Sequence, residues 1–273
     1  MTAARHEAFI EGISLWAPRL PGWEVAGAVL TGNAAPPPAG LRRPAPAMLP
    51  PAERRRAPDS VALAIEVAAC ACTAAGRDPA ALPSVFATTH ADLAITDYLC
   101  EMLVNAPLLT SPTKFHNSVH NAAAGYWCIA TGCHAPYMTV SVSDNSFAVG
   151  LLEAFMQIAG NETPVLYVAY DIEAAGPLAP VTVSHGLLGA GLVLAPNSSA
   201  KTVARMSWSI HPGAGGAPTR AQPANAGLVE GNAMAPCLPL FEALARRHGA
   251  VTLLLGPELL LDVLVQDAGP AAP

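Results

Sequence analysis

Apolar positions along this chain fall into two rhythms: a continuous or alternating one that suits strands and a three-to-four-residue one that suits helices. Ala8-Phe9-Ile10-Glu11-Gly12-Ile13-Ser14-Leu15 opens the chain as a strand. Ser60 then heads a helix carrying Leu63, Val67 and Cys70 on one face, with its hydroxyl placed to cap it. Pro83-Ser84-Val85-Phe86-Ala87-Thr88 reads as a buried strand, followed by a helical pattern over 91–104, a loop to Ser118 and a helix over 119–130. Tyr137-Met138-Thr139-Val140-Ser141-Val142 is a strand that leads into a helix over 146–159, with Phe147, Leu151, Leu152, Phe155 and Ile158 on one face. Residues 164–170 form the next strand, and 186–194 and 202–210 read as two consecutive strands paired antiparallel. A short amphipathic helix over 238–247 and a hairpin from 251–255 and 259–265 close the chain. Strands alternating with helices of about 10–15 residues predict an α/β fold with a mostly parallel central sheet, covered on both faces.

Two stretches interrupt this pattern. Residues 33–58 are rich in Pro, Ala and Arg and cannot close a core, so they predict a loop ordered by contact or a flexible cover. Residues 211–234, rich in Gly, Pro, Ala and Asn, predict a second loop. The 273 residues otherwise suit one domain with a sizeable core. Charged residues are only 12% against 52% hydrophobic, which points to a large partner interface or to compositional drift toward Ala and Pro. A net charge of −6 lacks the basic footprint that nucleic-acid binding needs. No apolar run reaches the ~18 residues of a membrane span, and the charged N-terminal dozen does not resemble a signal peptide, so a cytoplasmic protein is expected. Cys70, Cys72, Cys100, Cys128, Cys133 and Cys237 are scattered and read as reduced thiols, most of them buried.

Candidate chemistry concentrates in two places. Ser143-Asp144-Asn145 lies at the strand-to-helix turn, where the helix dipole and free N–H groups favour negative charge. All three are good helix caps and need no catalytic role. His116 and His120, four apart, could present two imidazoles to a metal, but no Glu follows in the zinc-protease pattern. They read better as a polar cluster with Asn117, Ser118 and Asn121, buried near a subunit seam. Arg54-Arg55-Arg56 fits a solvated surface run better than a docking site for an acidic protein.

Phe86-Ala87-Thr88-Thr89-His90-Ala91-Asp92-Leu93, Ser111-Pro112-Thr113-Lys114-Phe115-His116-Asn117-Ser118-Val119-His120-Asn121 and Gly150-Leu151-Leu152-Glu153-Ala154 together resemble the N-terminal half of β-ketoacyl synthases. The likeness is greatest to the short chain-length-factor type of aryl-polyene clusters. It centres on 84–194, and Phe9-Ile10-Glu11-Gly12-Ile13 and the arginine run fit it too. It implies a thiolase-like layered fold with a truncated second half. It also places Asp144, with Ser143 before it, where those enzymes carry their nucleophilic Cys. Downstream, only His211 and His248 remain, neither in a convincing catalytic motif.

The resemblance implies a non-catalytic subunit that pairs with an active ketosynthase and meets acyl carrier protein through that complex, with no cofactor and no metal. Phe115, His116, His120, Asn121 and Tyr126 become candidates for the interface or the acyl tunnel wall. The competing expectation is an acyltransferase or decarboxylase-like enzyme using Ser143 or Cys133.

Overall fold

The computed structural model describes residues 6–213 and 217–268. β1 (His6–Ala17) opens the chain, turns through β2 (Leu20–Pro21) and enters α1 (Trp23–Leu30). α2 (Pro51–Arg56) lies within the proline-rich stretch, and α3 (Asp59–Ala75) follows it. Next come β3 (Ser84–Ala87), α4 (Leu93–Asn105), α5 (Pro112–His116), α6 (Ala122–Thr131) and β4 (Tyr137–Val140). α7 (Ser146–Asn161), β5 (Val165–Asp171), β6 (Leu188–Ala195) and β7 (Ala204–Pro212) lead to α8 (Pro223–Ala226) and α9 (Leu238–Arg246). The hairpin of β8 (Gly249–Gly256) and β9 (Leu259–Asp267) completes the described elements.

The strands form one sheet in the order β4-β3-β5-β6-β1-β7-β9-β8, with β2 beside β1. The α/β layering is as the sequence predicts, but the sheet is mixed. β3 runs parallel to β4 and β5, and every other pairing is antiparallel. Parallel neighbours need a long crossover. Helices bridge β3 to β4 and β4 to β5, whereas the link from β5 to β6 contains no helix. The two strands expected to pair with each other, β6 and β7, instead flank β1 on either side.

Other boundaries also move. α1 was not expected: it begins after Pro21-Gly22 with no side-chain cap and spans only eight residues. Ser60 lies inside α3, whose N-cap is Pro58, and its hydroxyl donates to Asp92 at 3.1 Å instead. The helix expected over 119–130 is α6, preceded by the short α5. The 33–58 stretch is ordered by contact: Leu49 and Ala57 are buried, Arg43 reaches Asp59 and the Ala57 carbonyl, both at 2.9 Å, and Arg54 donates to the Leu49 carbonyl.

α1, α7 and α9 cover one face of the sheet with Phe147, Phe155 and Phe241, while α3 and α6 cover the other with Trp127. Gly12 lets the Ala-rich α3 lie close on β1, because a Cβ there would collide with the Ala71 carbonyl. Gly150 does the same for α7, where a Cβ would stand 2.7 Å from that of Ala87. Glu11, at the bulge of β1, is buried and accepts from Arg77 at 2.7 and 2.8 Å and from Ser199 at 2.7 Å. Burial raises its pKa, but the hydrogen bonds from Arg77 and Ser199 outweigh that and leave it lowered. No helix among the described residues is long and apolar enough to cross a membrane.

Candidate functional site

Between the end of β4 and the start of α7 the chain turns sharply, and Ser143 takes the strain with a φ of 46°. Its carbonyl accepts from the Ser146 hydroxyl at 2.7 Å, the Ser146 N–H at 3.1 Å and the Thr89 hydroxyl at 3.1 Å. Ser146 Oγ also accepts from the Val142 N–H at 2.9 Å. This corrects the expected capping: Asn145 is the N-cap and makes no side-chain cap bond, and Ser146 closes the turn from inside the helix. Behind the elbow, the fully buried Asp171 accepts from Thr88 Oγ1 and the Thr89 N–H, both at 2.8 Å, and from the His90 N–H at 3.2 Å. Burial pushes its carboxyl up, opposed by these bonds. Sequence reasoning did not single out this anchor, although Asp171 ends a strand that is buried at all seven positions.

A cavity of 640 Å³ opens beside the elbow, and its lining includes Asp144, Asn145, Ala148, Val229, Leu238 and Leu253. Its lining includes no Cys or His among the described residues. An activated nucleophile needs a base in reach, and the titratable side chains in this lining are Asp144, Arg220 and Glu230. His211 sits on β7 with Nε2 2.8 Å from Asp262, and the Pro212 carbonyl and Asp262 raise its pKa. His248 Nδ1 rests 2.9 Å from the Arg246 carbonyl. Cys133 is buried, with its thiol 3.6 Å from the Leu82 carbonyl and outside the elbow cavity. Burial pushes the Cys72 thiol up to about 12. No group of three His, Cys, Asp or Glu among the described residues could hold a metal ion.

The other candidate region is the free edge of the sheet. β4 pairs only with β3, and its Pro136 and Val140 carbonyls face that neighbour, so the backbone of Tyr137 and Thr139 points outward. Exposed apolar side chains lie on this edge itself (Tyr137, Met138), just after it (Val142) and on α6 (Ile129), which packs beside β4; others are exposed on α4 (Leu103, Val104), after it (Leu108, Leu109) and on α5 (Phe115). Leu108 is 98% exposed and Val104 82%.

The predicted residues are only partly brought together. His116 and Tyr126 form an edge-on ring pair with centroids 6.2 Å apart, and both line a 520 Å³ cavity under Met48, Leu49 and Pro50. Phe115 is exposed and outside that cavity. His120 Nε2 lies 3.3 Å from the Thr88 carbonyl, and Asn121 donates to the Tyr137 hydroxyl at 3.0 Å. The expected burial of this polar cluster is therefore corrected, because only Asn117 among them is buried, and its Oδ1 has no partner. The cluster lies beside the sheet edge and so stays open. In the arginine run, Arg54 turns inward to Leu49 while Arg56 remains at the surface, 4.0 Å from Glu53.

Residues 29–247 match the model of the β-ketoacyl synthase N-terminal domain family. Among solved structures, the chain is similar to one of a ketosynthase in complex with its chain length factor from Xenorhabdus doucetiae. That match has 19% identity over 94% of this chain and 98% of that one, with a TM-score of 0.68. The ishigamide ketosynthase/chain length factor structure matches at 17% identity over 96% and 99%, with a TM-score of 0.68. A type II PKS acyl-carrier protein complex with its ketosynthase bound to the hexaketide matches at 10% over 97% and 100%, with a TM-score of 0.72. These likenesses establish the fold alone. No curated protein matches this chain.

Proposed function

Because the chain belongs to the β-ketoacyl synthase N-terminal domain family, we propose that it is a non-catalytic chain-length-factor subunit. It pairs with an active β-ketoacyl synthase and shapes the pocket in which the growing acyl chain is measured. The observation that carries this reading is the open β4 edge with its exposed Tyr137 and Met138, followed by an elbow whose cavity is lined by no Cys or His among the described residues. The partner supplies the cysteine and histidines, and this chain supplies the seam and part of the wall, through His116 and Tyr126. Two of the similar structures are ketosynthases with chain length factors, and a third contains an acyl-carrier protein. The setting is cytoplasmic chain elongation of the aryl-polyene, polyketide or fatty-acid type, with acyl carrier protein delivering substrate to the complex.

Co-expression with an active β-ketoacyl synthase tests the reading. A stable one-to-one complex that elongates acyl chains, with an inactive lone subunit, is expected. A monodisperse monomer that ignores the ketosynthase refutes it. The strain at Ser143 favours one competing reading, an acyltransferase or decarboxylase-like enzyme using that hydroxyl; the buried Cys133 offers it less. An acyl adduct at Ser143, found by mass spectrometry after incubation with acyl carrier protein thioesters, would establish that alternative.

A further inference from the structure

The His116–Tyr126 cavity does not end at its apolar wall. A second cavity of 540 Å³ shares Arg56 and Thr113 with it and continues past Ser111, Lys114 and Asn117. Both chambers combine apolar and charged lining. The first has Met48, Leu49, Tyr126 and Ile129 along with Glu53 and Arg56, and the second has Ile95 and Ile172 along with Arg56, Asp59, Asp92 and Lys114.

Those charges are not equally available. Asp59 is engaged by Arg42 at 3.0 Å and Arg43 at 2.9 Å. Asp92 is buried, accepts from the Ser60 hydroxyl and the Ile95 N–H, both at 3.1 Å, and is pushed toward its neutral form by burial. The cations are freer. Arg56 has Glu53, which also lines the first chamber, no nearer than 4.0 Å, and Lys114 stands over the Tyr98 ring at 4.3 Å with no carboxylate partner among the described residues. Asn117 adds a second and independent feature. It is 6% exposed, and its Oδ1 is a buried acceptor without a donor, a state that native structures rarely leave unfilled. Its side chain also acts on the Tyr126 hydroxyl, opposing the rise in pKa that burial causes there. Asn117 therefore adjoins both chambers.

We propose that the two chambers form one site for an anionic amphiphile, with the apolar tail against Tyr126 and a head group at Lys114 and Arg56 that donates a hydrogen bond to Asn117 Oδ1. This rests on the reading of the His116–Tyr126 cavity as an acyl wall, but not on pairing with a ketosynthase. A tail gains from leaving water, an anion between two cations gains charge-assisted hydrogen bonds, and an N–H or O–H next to the charge satisfies the orphaned amide oxygen.

Isothermal titration of the purified chain with three probes of equal tail length tests the site. N-dodecanoylglycine carries tail, N–H and carboxylate; its methyl ester lacks the charge; dodecanoate lacks the donor. The acid should bind one-to-one, at least tenfold tighter than the ester and several-fold tighter than dodecanoate. The double variant Arg56→Glu with Lys114→Glu changes two exposed residues and should weaken the acid at least tenfold while leaving the ester unchanged. Asn117→Leu should reduce the acid to the affinity of dodecanoate. Should that variant not fold, the comparison of acid with dodecanoate on the unaltered chain decides the same point. No saturable binding, equal affinity for acid and ester, or indifference to charge reversal overturns the proposal. Binding without ketosynthase pairing would sink the chain-length-factor reading and keep the site; pairing without binding would do the reverse.

Discussion

The two ends of the sheet are built to different rules. At one end β8 is an edge strand, but Thr219 covers it: its N–H donates to the Thr252 carbonyl at 2.8 Å, and its hydroxyl accepts from the Thr252 N–H at 2.9 Å. At the other end β4 has no such cover among the described residues; its own Tyr137 and Met138 are exposed, as is Ile129 on the neighbouring α6. Folded proteins protect their edges against unwanted pairing, so an edge left bare amid apolar side chains is one that another chain can fill. The difference separates residues that hold the fold from residues that hold a partner.

The largest effect that can break this comparison is at the bare edge. Met138→Glu with Ile129→Glu places two charges at exposed positions outside both core clusters. Pairing with the ketosynthase should fall by about 100-fold or more, in line with the loss of central interface anchors, while the melting temperature of the lone chain stays unchanged. Light scattering and thermal denaturation read the two quantities separately. A parallel fall in both would mean that this surface belongs to the fold.

The complementary change is inside. Glu11→Gln removes the charge that holds Arg77 and Ser199 across the back of β1. Breaking a pair with one fully buried partner should cost about 2–4 kcal/mol by chemical denaturation, with little change in pairing per folded molecule. Its pKa is lowered on folding, so the ion pair stabilises above the unfolded carboxyl value of about 4.3, and that contribution is lost as pH falls through the lower folded value. The variant should lose this part of the acid dependence. An unaltered acid profile would assign the loss of stability at low pH to other carboxylates.

How much of this was legible before folding depends on the range of the contacts. β5 is a run of seven buried residues, and β8 and β9 form a local hairpin, so both were readable from short windows. β6 and β7 were also visible as strands, but their partner β1 lies more than 170 residues earlier, and no local pattern encodes that pairing. α1 has eight residues and no capping side chain, too little periodicity to recognise. At the site, the elbow was clear from the switch in rhythm, whereas its closure by Ser146 and its anchoring through Thr89 and Asp171 are tertiary facts. His116 and Tyr126 meet because α5 and α6 pack under the 48–50 segment, while Phe115, adjacent in sequence, points to solvent.

A smaller effect would sharpen the division between seam and wall. Tyr126→Ala enlarges the cavity it shares with His116, and each further two-carbon unit gains ~1.6 kcal/mol of apolar burial at ~0.8 kcal/mol per CH₂. Product profiling of the reconstituted complex should show longer chains with the complex still assembled. An unchanged length distribution would confine this subunit to a stabilising role at the seam.

The smallest expected effects lie at the elbow, and their smallness is the point. Asp144 is exposed and its side chain makes no hydrogen bond among the described residues, so Asp144→Ala should change stability by less than about 0.5 kcal/mol. Ser143→Gly removes a Cβ from a left-handed residue, which should leave stability unchanged or raise it by up to about 1 kcal/mol. The carbonyl contacts from Ser146 and Thr89 use the backbone of residue 143 and survive the substitution. Condensation through the partner's cysteine should run at the normal rate in both variants, measured as turnover of the assembled complex. If Ser143→Gly kept the complex stable and assembled but abolished turnover, the hydroxyl itself would be doing chemistry, and the strain at the elbow would mark a nucleophile instead of a turn inherited without one.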